Sequence, residues 1–314
     1  MKSLIAVLCL LSSSIALAQE PELTLGGPVT LERIPERMLR GPDLSSHSAL
    51  IAAQNAAGDL TLDGATFTLS KPGEGARPVL LVVRKLELKN STLITNGNHL
   101  VIYAHEIVGN NASRITAFDE SATTAMDRPS GAAGAAAGKV DLFLTGRVAG
   151  PLFVDLSGQD GQHGVDGRPG AAGAKGPRGR NAKARWGLCR SGQGRGGNGE
   201  NGGAGGRGGD AGAGGNGGLL TVTFYNTPVE VAELRYTLDG GDAGTPGKGG
   251  VGGPGGRGGP PGKNTSPCKQ LDALFGLPPG HGSNGQSGAN GENGKSAAAG
   301  SKGQFTASRV ELPK

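Results

Sequence analysis

The chain predicts an all-β fold: a parallel β-helix (solenoid) with inserted glycine-rich hairpins that form a bundle. Three observations carry this expectation. Three stretches align with one another, from His99 to Asp119, from Lys139 to Ser157 and from Leu219 to Asp239. Each reads as an alternating strand, a short second strand (EIV, RVA, VEVA) and a third alternating strand, the pattern of half-buried β-structure. A repeat near twenty residues built of short strands suggests stacked coils. Finally, 61 of the 314 residues are glycine, and nearly half of them fall on every third position in tracts between Gly158 and Gly303. The alternative architecture is an antiparallel β-sandwich with disordered Gly-rich loops.

Met1, Lys2, the apolar run from Leu4 to Leu11 and Ala16-Leu17-Ala18 predict a secretory signal peptide over 1–18. An N-terminal extension over 19–44 follows. The solenoid with its N-terminal cap is expected over 45–157. Ser45-Ser46 before HSALIAAQNAAG reads as an N-capped helix that closes one end. LTLDGATFTL and LLVVRKLELKNSTLITNG read as early coils. The first Gly-rich hairpin spans 158–218, a solenoid coil 219–239, the second hairpin 240–303 and a terminal strand 304–314.

Each hairpin holds an outgoing and a returning tract. Tract 1 runs from Gly158 to Gly179, tract 2 from Gly196 to Gly217, tract 3 from Gly241 to Gly262 and tract 4 from Gly282 to Gly303. Ala211 and Ala297 replace glycine at the sixth triplet of the two returning tracts, and NGENG occurs in both. A three-residue period matches the polyproline II helix. Glycine at every third place bares one edge of such a helix. Tracts 2 and 3 are rich in GGX triplets, which bare two edges and suit a helix with neighbours on both sides. The triplets GRP, GPR and GPP are collagen-like. The tracts also resemble the polyglycine II bundles of snow-flea antifreeze protein and of phage tail-fibre adhesins. That resemblance implies an ordered bundle rather than a linker. Because every outgoing tract has a return partner in the same chain, a monomer is expected.

Beyond the leader two cysteines remain, Cys189 and Cys268, which in an exported chain predict a disulfide between the hairpin tips. The formal charge is +5. It is concentrated in RGRNAKARWGLCRSGQGR, where Arg178, Arg180, Lys183, Arg185, Arg190 and Arg195 surround Trp186 without an acid. This is the candidate binding site, for anionic polysaccharide or lipopolysaccharide. A structural reading packs Trp186 and Leu188 on Leu271, Leu274, Phe275 and Leu277 instead.

No apolar run after the leader is long enough to span a bilayer. The five histidines show no metal-ligand spacing, and GGRGGDA matches a calcium repeat only in part. Asp141 and Asp155 on neighbouring outward strand positions are the one pair that would suit a polysaccharide-active enzyme. The expected function is an exported structural or adhesive protein, secreted, periplasmic or at the cell surface, without cofactor. The alternatives are that enzyme and an ice-binding protein, the latter requiring regular Thr or Asn rows on one bundle face.

Overall fold

The computed structural model describes residues 23–26, 39–40, 57–70, 77–119, 128–275 and 280–311. The expected leader and cap helix lie outside these residues. The described chain is mostly β, arranged in three largely parallel sheets. The first sheet has the order β1 (Leu23–Gly26), β3 (Asp59–Asp63), β6 (Lys85–Lys89), β9 (Glu106–Val108) and β12 (Val148–Ala149). The second runs β17 (Leu234–Thr237), β13 (Leu152–Asp155), β10 (Arg114–Thr116), β7 (Thr92–Ile94) and β4 (Thr66–Thr68). The third runs β18 (Gln304–Val310), β16 (Leu219–Tyr225), β11 (Lys139–Leu144), β8 (His99–Ala104), β5 (Val79–Val82) and β2 (Leu39–Arg40). From β3 to β13 the chain visits the first, second and third sheet in turn, then starts again one strand further along each.

Parallel register stacks like residues on like. Leu60, Leu86, Ile107 and Val148 form one inward column, and Leu81, Ile102, Leu142 and Val222 form another. These side chains are buried, and each contributes about 1.5–3 kcal/mol when fully removed from water. The parallel pairing excludes the antiparallel sandwich; among the described residues only β2–β5 and the small hairpin of β14 (Lys183–Arg185) and β15 (Leu188–Ser191) pair antiparallel. One expected strand is missing. The VEVA segment (229–232) forms no strand, so the first sheet ends at β12. Pro228, just before it, has no amide to donate to a ladder.

The glycine tracts form a bonded lattice. Amides of tract 1 donate to tract 3, from Gly158 to the Asp239 carbonyl (2.9 Å) through Gly179 to Pro260 (3.0 Å). Tract 3 donates to tract 2, as from Gly253 to Gly203 (2.8 Å). Tract 2 donates to tract 4 from Gly205 (to Ala289, 2.9 Å) and to tract 1 from Gly203 (to Ala171, 2.7 Å). Tract 4 donates back to tract 3, as from Gly288 to Gly253 (2.8 Å). Tracts 1 and 3 therefore run parallel and form one layer, here the upper. Tracts 2 and 4 run parallel and form the lower. Contacts between layers are antiparallel. The two alanines lie at one level: Ala211 keeps its bond to Lys295 (2.9 Å), while the rung of tract 4 between Gly294 and Gly300 is missing from the ladder.

Tracts 2 and 3 each touch all three others, whereas tracts 1 and 4 touch only two. This explains the GGX triplets. A Cβ on Gly253 would lie 2.0 Å from the Ala171 oxygen, and one on Gly252 would lie 1.9 Å from the Gly288 oxygen. Positive φ among the described residues occurs only outside the four tracts. Glycine is used here for space between backbones, not for left-handed geometry.

Asx residues that precede tract glycines add a second ladder. Asp160 and Asp166 of tract 1 accept the amides of Asp242 and Lys248 (both 2.7 Å). Asn201 and Asn216 of tract 2 accept those of Gln286 (2.8 Å) and Ser301 (2.9 Å). Asn290 and Asn293 of tract 4 accept those of Gly252 and Gly249 (both 2.9 Å).

A β-carbon in the lattice must separate backbones. Gly253→Val should lower stability by about 2–3 kcal/mol, the usual range for overpacking. Ala172→Val, at an exposed position of tract 1, should stay within about 0.5 kcal/mol. Thermal melts of the two variants decide this, and equal small effects would contradict an ordered lattice.

Candidate functional site

The far end of the bundle, eight triplets from the sheets, carries a small hairpin and a helix. Strands β14 (Lys183–Arg185) and β15 (Leu188–Ser191) pair antiparallel across a two-residue turn. Trp186 and Gly187 form that turn with φ of 56° and 72°. Positive φ at both positions is what a type I′ turn needs, and Asn or Gly normally supplies the first. A bulky residue there is strained by about 1–3 kcal/mol. Arg190 is the extra residue of a bulge, since Ala184 pairs Cys189 while Lys183 pairs Ser191. Helix α1 (Ser266–Phe275) packs against this hairpin. It starts after Thr265, whose carbonyl accepts the amide of Lys269 (2.9 Å), and Pro267 sits in the first turn, where its missing amide costs nothing.

Cys189 on β15 and Cys268 on α1 are bonded to each other, with Cα atoms 4.8 Å apart. Cys268 is fully buried. The tip is thus closed covalently across the two hairpins.

Of the packing partners expected for Trp186 and Leu188, the side chain of Leu274 is described; those of Leu271, Phe275 and Leu277 lie outside the described residues. Trp186 is 84% exposed, Leu188 72% and Leu274 80%, so these side chains stand in water rather than on one another. The disulfide and the helix backbone hold the tip without them. The cations around Trp186 are exposed as well. Arg178 donates to the Pro261 carbonyl (3.2 Å) and Arg195 to the His281 carbonyl (3.1 Å). The Arg185 guanidinium lies 6.0 Å from the centre of the Trp186 ring. Among the described residues no carboxylate forms an ion pair with Arg178, Arg180, Lys183, Arg185, Arg190 or Arg195. Unneutralised charges beside an exposed aromatic ring can take an anionic, ring-bearing ligand.

The carboxylate pair is not assembled. Asp155 lies on the second sheet, where it accepts from the Ser157 amide (3.0 Å) and hydroxyl (2.7 Å). Asp141 lies on the third sheet and is 5% exposed. Its Oδ2 meets His99 Nε2 (2.7 Å) and Lys139 Nζ (2.9 Å). Beside it, Tyr103, Phe143 and Tyr225 stack in a row at 4.6 and 6.1 Å. Burial pushes the Tyr225 phenol up to about 12. Burial also raises the Asp141 carboxyl, but hydrogen bonds from His99, Lys139 and Thr221 and the Lys139 charge outweigh it, and its pKa is lowered.

Sequence reasoning missed a groove of about 310 Å³ on the second sheet, lined by Thr66, Thr92 and Thr116 with Arg114, Asp119 and Asp155. The Arg114 guanidinium lies over the Phe153 ring at 5.5 Å. Its only sequence signal is a set of polar residues at alternate strand positions, which any solvated sheet face shares. The Asx ladder was also missed, although Asx directly before tract glycines is visible in the sequence. The Asn oxygens of that ladder are turned to neighbouring amides, so they do not form the free row that an ice-binding face requires.

Two outcomes test this chemistry. A depressed carboxyl stabilises the fold above its unfolded pKa, and that share is lost as pH falls through the folded value. Asp141→Asn should therefore flatten the acid limb of a stability–pH profile below about pH 4. Reducing the disulfide removes a loop closure across 79 residues, which loop entropy puts at about 4 kcal/mol. Melts of the Cys189→Ser/Cys268→Ser double variant against the native chain measure it.

Compared with protein families, curated proteins and solved structures, the chain gives no significant match.

Proposed function

We propose that this is an exported adhesive or structural protein that carries an anion-binding tip on a rigid spacer. In this reading the three sheets wind as a parallel β-helix, and the four tracts are a polyglycine II bundle that grows from one corner of it. A monomer is sufficient, since each tract finds its neighbours within one chain. The covalent Cys189–Cys268 link suits an oxidising compartment. No helix among the described residues is long and apolar enough to cross a membrane. A tract of 24 residues in polyproline II geometry would span roughly 74 Å, enough to hold the tip clear of a surface layer.

The observation that carries the reading is Trp186. An 84% exposed tryptophan in a strained left-handed turn, among cations that form no ion pair with the described residues, has no packing role to explain it. Presentation of the ring to a ligand does explain it. Anionic surface polysaccharide or lipopolysaccharide supplies both the charge for the arginines and a sugar face for the indole.

Changing Arg180, Lys183, Arg185 and Arg190 together to Ser should abolish binding to immobilised polyanions, with folding unchanged. Native binding should weaken steeply with added salt. Trp186→Asn should separate the two roles. It relieves the turn and raises stability by up to about 1 kcal/mol, while binding weakens. A native protein that ignores polyanions, or a quadruple variant that binds as well, removes the tip from consideration.

A further inference from the structure

The two layers of the bundle differ in charge. On the upper layer, side chains of tract 1 reach tract 3 level by level. Asp160, His163, Asp166 and Asn181 accept the amides of Asp242, Thr245, Lys248 and Lys263 at 2.7–2.9 Å. The glycine ladder fixes the levels between: Pro169 lies beside Val251, Ala172 beside Pro254, Lys175 beside Arg257 and Arg178 beside Pro260. Beyond Asp166 and Asp242 this layer has no acid. None occurs from Gly167 to Gly199, nor from Ala243 to Leu271. Arg168, Lys175, Lys248, Arg257 and Lys263 are exposed there.

The lower layer is balanced. Its register sets Asn201 beside Gln286, Arg207 beside Glu292, Asp210 beside Lys295 and Asn216 beside Ser301. Arg207 and Asp210 also form an ion pair at 2.6 Å. Both layers are built from the same glycine lattice, so the lattice does not impose the difference.

Resting on the tip reading above, we infer that the upper face is a track for one linear sulfated or carboxylated polysaccharide, lying along the bundle and ending at Trp186. Successive levels stand about 9 Å apart in polyproline II geometry, so an extended polyanion meets a cation at the Lys248 level and again at the three successive levels of Lys175 with Arg257, Arg178 and Lys263. Between Lys248 and the level of Lys175 and Arg257 the face offers only Pro169, Val251, Ala172 and Pro254, with Val251 66% exposed. These suit the C–H faces of sugar rings. A nucleic acid fits less well. No aromatic residue lies between Gly158 and Arg185 or between Gly240 and Gly262, and single strands need stacking platforms. A flat face also has no element to enter a duplex groove.

The experiment is a length series of heparin oligosaccharides, from tetrasaccharide to hexadecasaccharide, titrated into the full chain. Four proteins are compared: native, the quadruple tip variant, an upper-face variant (Lys175→Ser/Arg257→Ser/Lys263→Ser) and a lower-face control (Arg207→Ser/Lys295→Ser). Melts check that each is folded. Native affinity should rise by at least about tenfold with length, as more phosphate-like charges are neutralised. The upper-face variant should lose that rise yet keep tetrasaccharide binding at the tip, and the control should match native. Affinity independent of length overturns the track. So does an upper-face variant no different from the control, or single-stranded DNA of equal charge binding as tightly. A tip variant that binds tetrasaccharide like native removes the tip reading alone, because the track is still judged by the long chains and the upper-face variant.

Discussion

Everything in the outer half of this protein depends on glycine amides bonding to carbonyls of a neighbouring tract at a separation that admits no β-carbon. The region buries little apolar surface, so it has almost no hydrophobic driving force to fall back on. Glycine also loses more conformational freedom on ordering than any other residue. A lone amide bond contributes only about 0.5–1.5 kcal/mol net. The lattice outweighs the entropy by repetition. Tract 2 donates in two directions from adjacent residues of each triplet, such as Gly202 and Gly203, and the Asx oxygens satisfy further amides that would otherwise face water. The cost of a single β-carbon follows directly, because the facing atom is backbone oxygen about 2 Å away and cannot swing aside.

The sheets decide how the tracts are arranged. Strands β10, β13 and β17 are neighbours in the second sheet, and the chain leaves each of them into an insertion. It returns into β11, β16 and β18, which are neighbours in the third. Tract 1 prolongs β13 and tract 3 prolongs β17, so these two run side by side. Tracts 2 and 4 lead into β16 and β18 and do the same. The hydrogen bonds pass over without a break, from Leu156–Thr237 in the sheet region to Gly158–Asp239 in the bundle. Even the short insertion before β11 joins, with Gly134 bonding Ala213 (2.7 Å) and Ala137 bonding Asn216 (3.0 Å). The apolar columns therefore set the register of a lattice that has no apolar columns of its own.

The tip shows what the bundle frees the chain to do. Once the ladder and one disulfide hold the far end, its side chains need not pack. Trp186, Leu188 and Leu274 all stand in solvent, and among the described residues the tip arginines form no ion pair. In the sheets the same residue types are constrained differently. Arg84 pairs Asp59, Arg147 pairs Glu106 at 2.8 Å, and Lys139 shares Asp141 with His99. That contrast separates the exposed cations of the tip and upper layer, which form no ion pair among the described residues, from those of the sheets, which do.

The sequence by itself determined the strand-rich class, the alternating inward residues such as Leu142 and Leu144, the glycine phase and the pairing candidates Cys189 and Cys268. All of these follow from local period or from counting. It also marked GGX tracts as having two close neighbours, because bare edges are written residue by residue. Which tract lies beside which was decided only in three dimensions, since a three-residue period is identical in every tract and carries no address. The separation of Asp141 from Asp155 was likewise tertiary: equal strand phase says nothing about which sheet a strand joins. Helix α1 was hidden by its one proline, Pro267, and the exposure of Trp186 by its apolar character, which pointed to packing. The charge difference between the two layers existed in the sequence all along, but only the pairing of tract 1 with tract 3 gathers those cations onto one face.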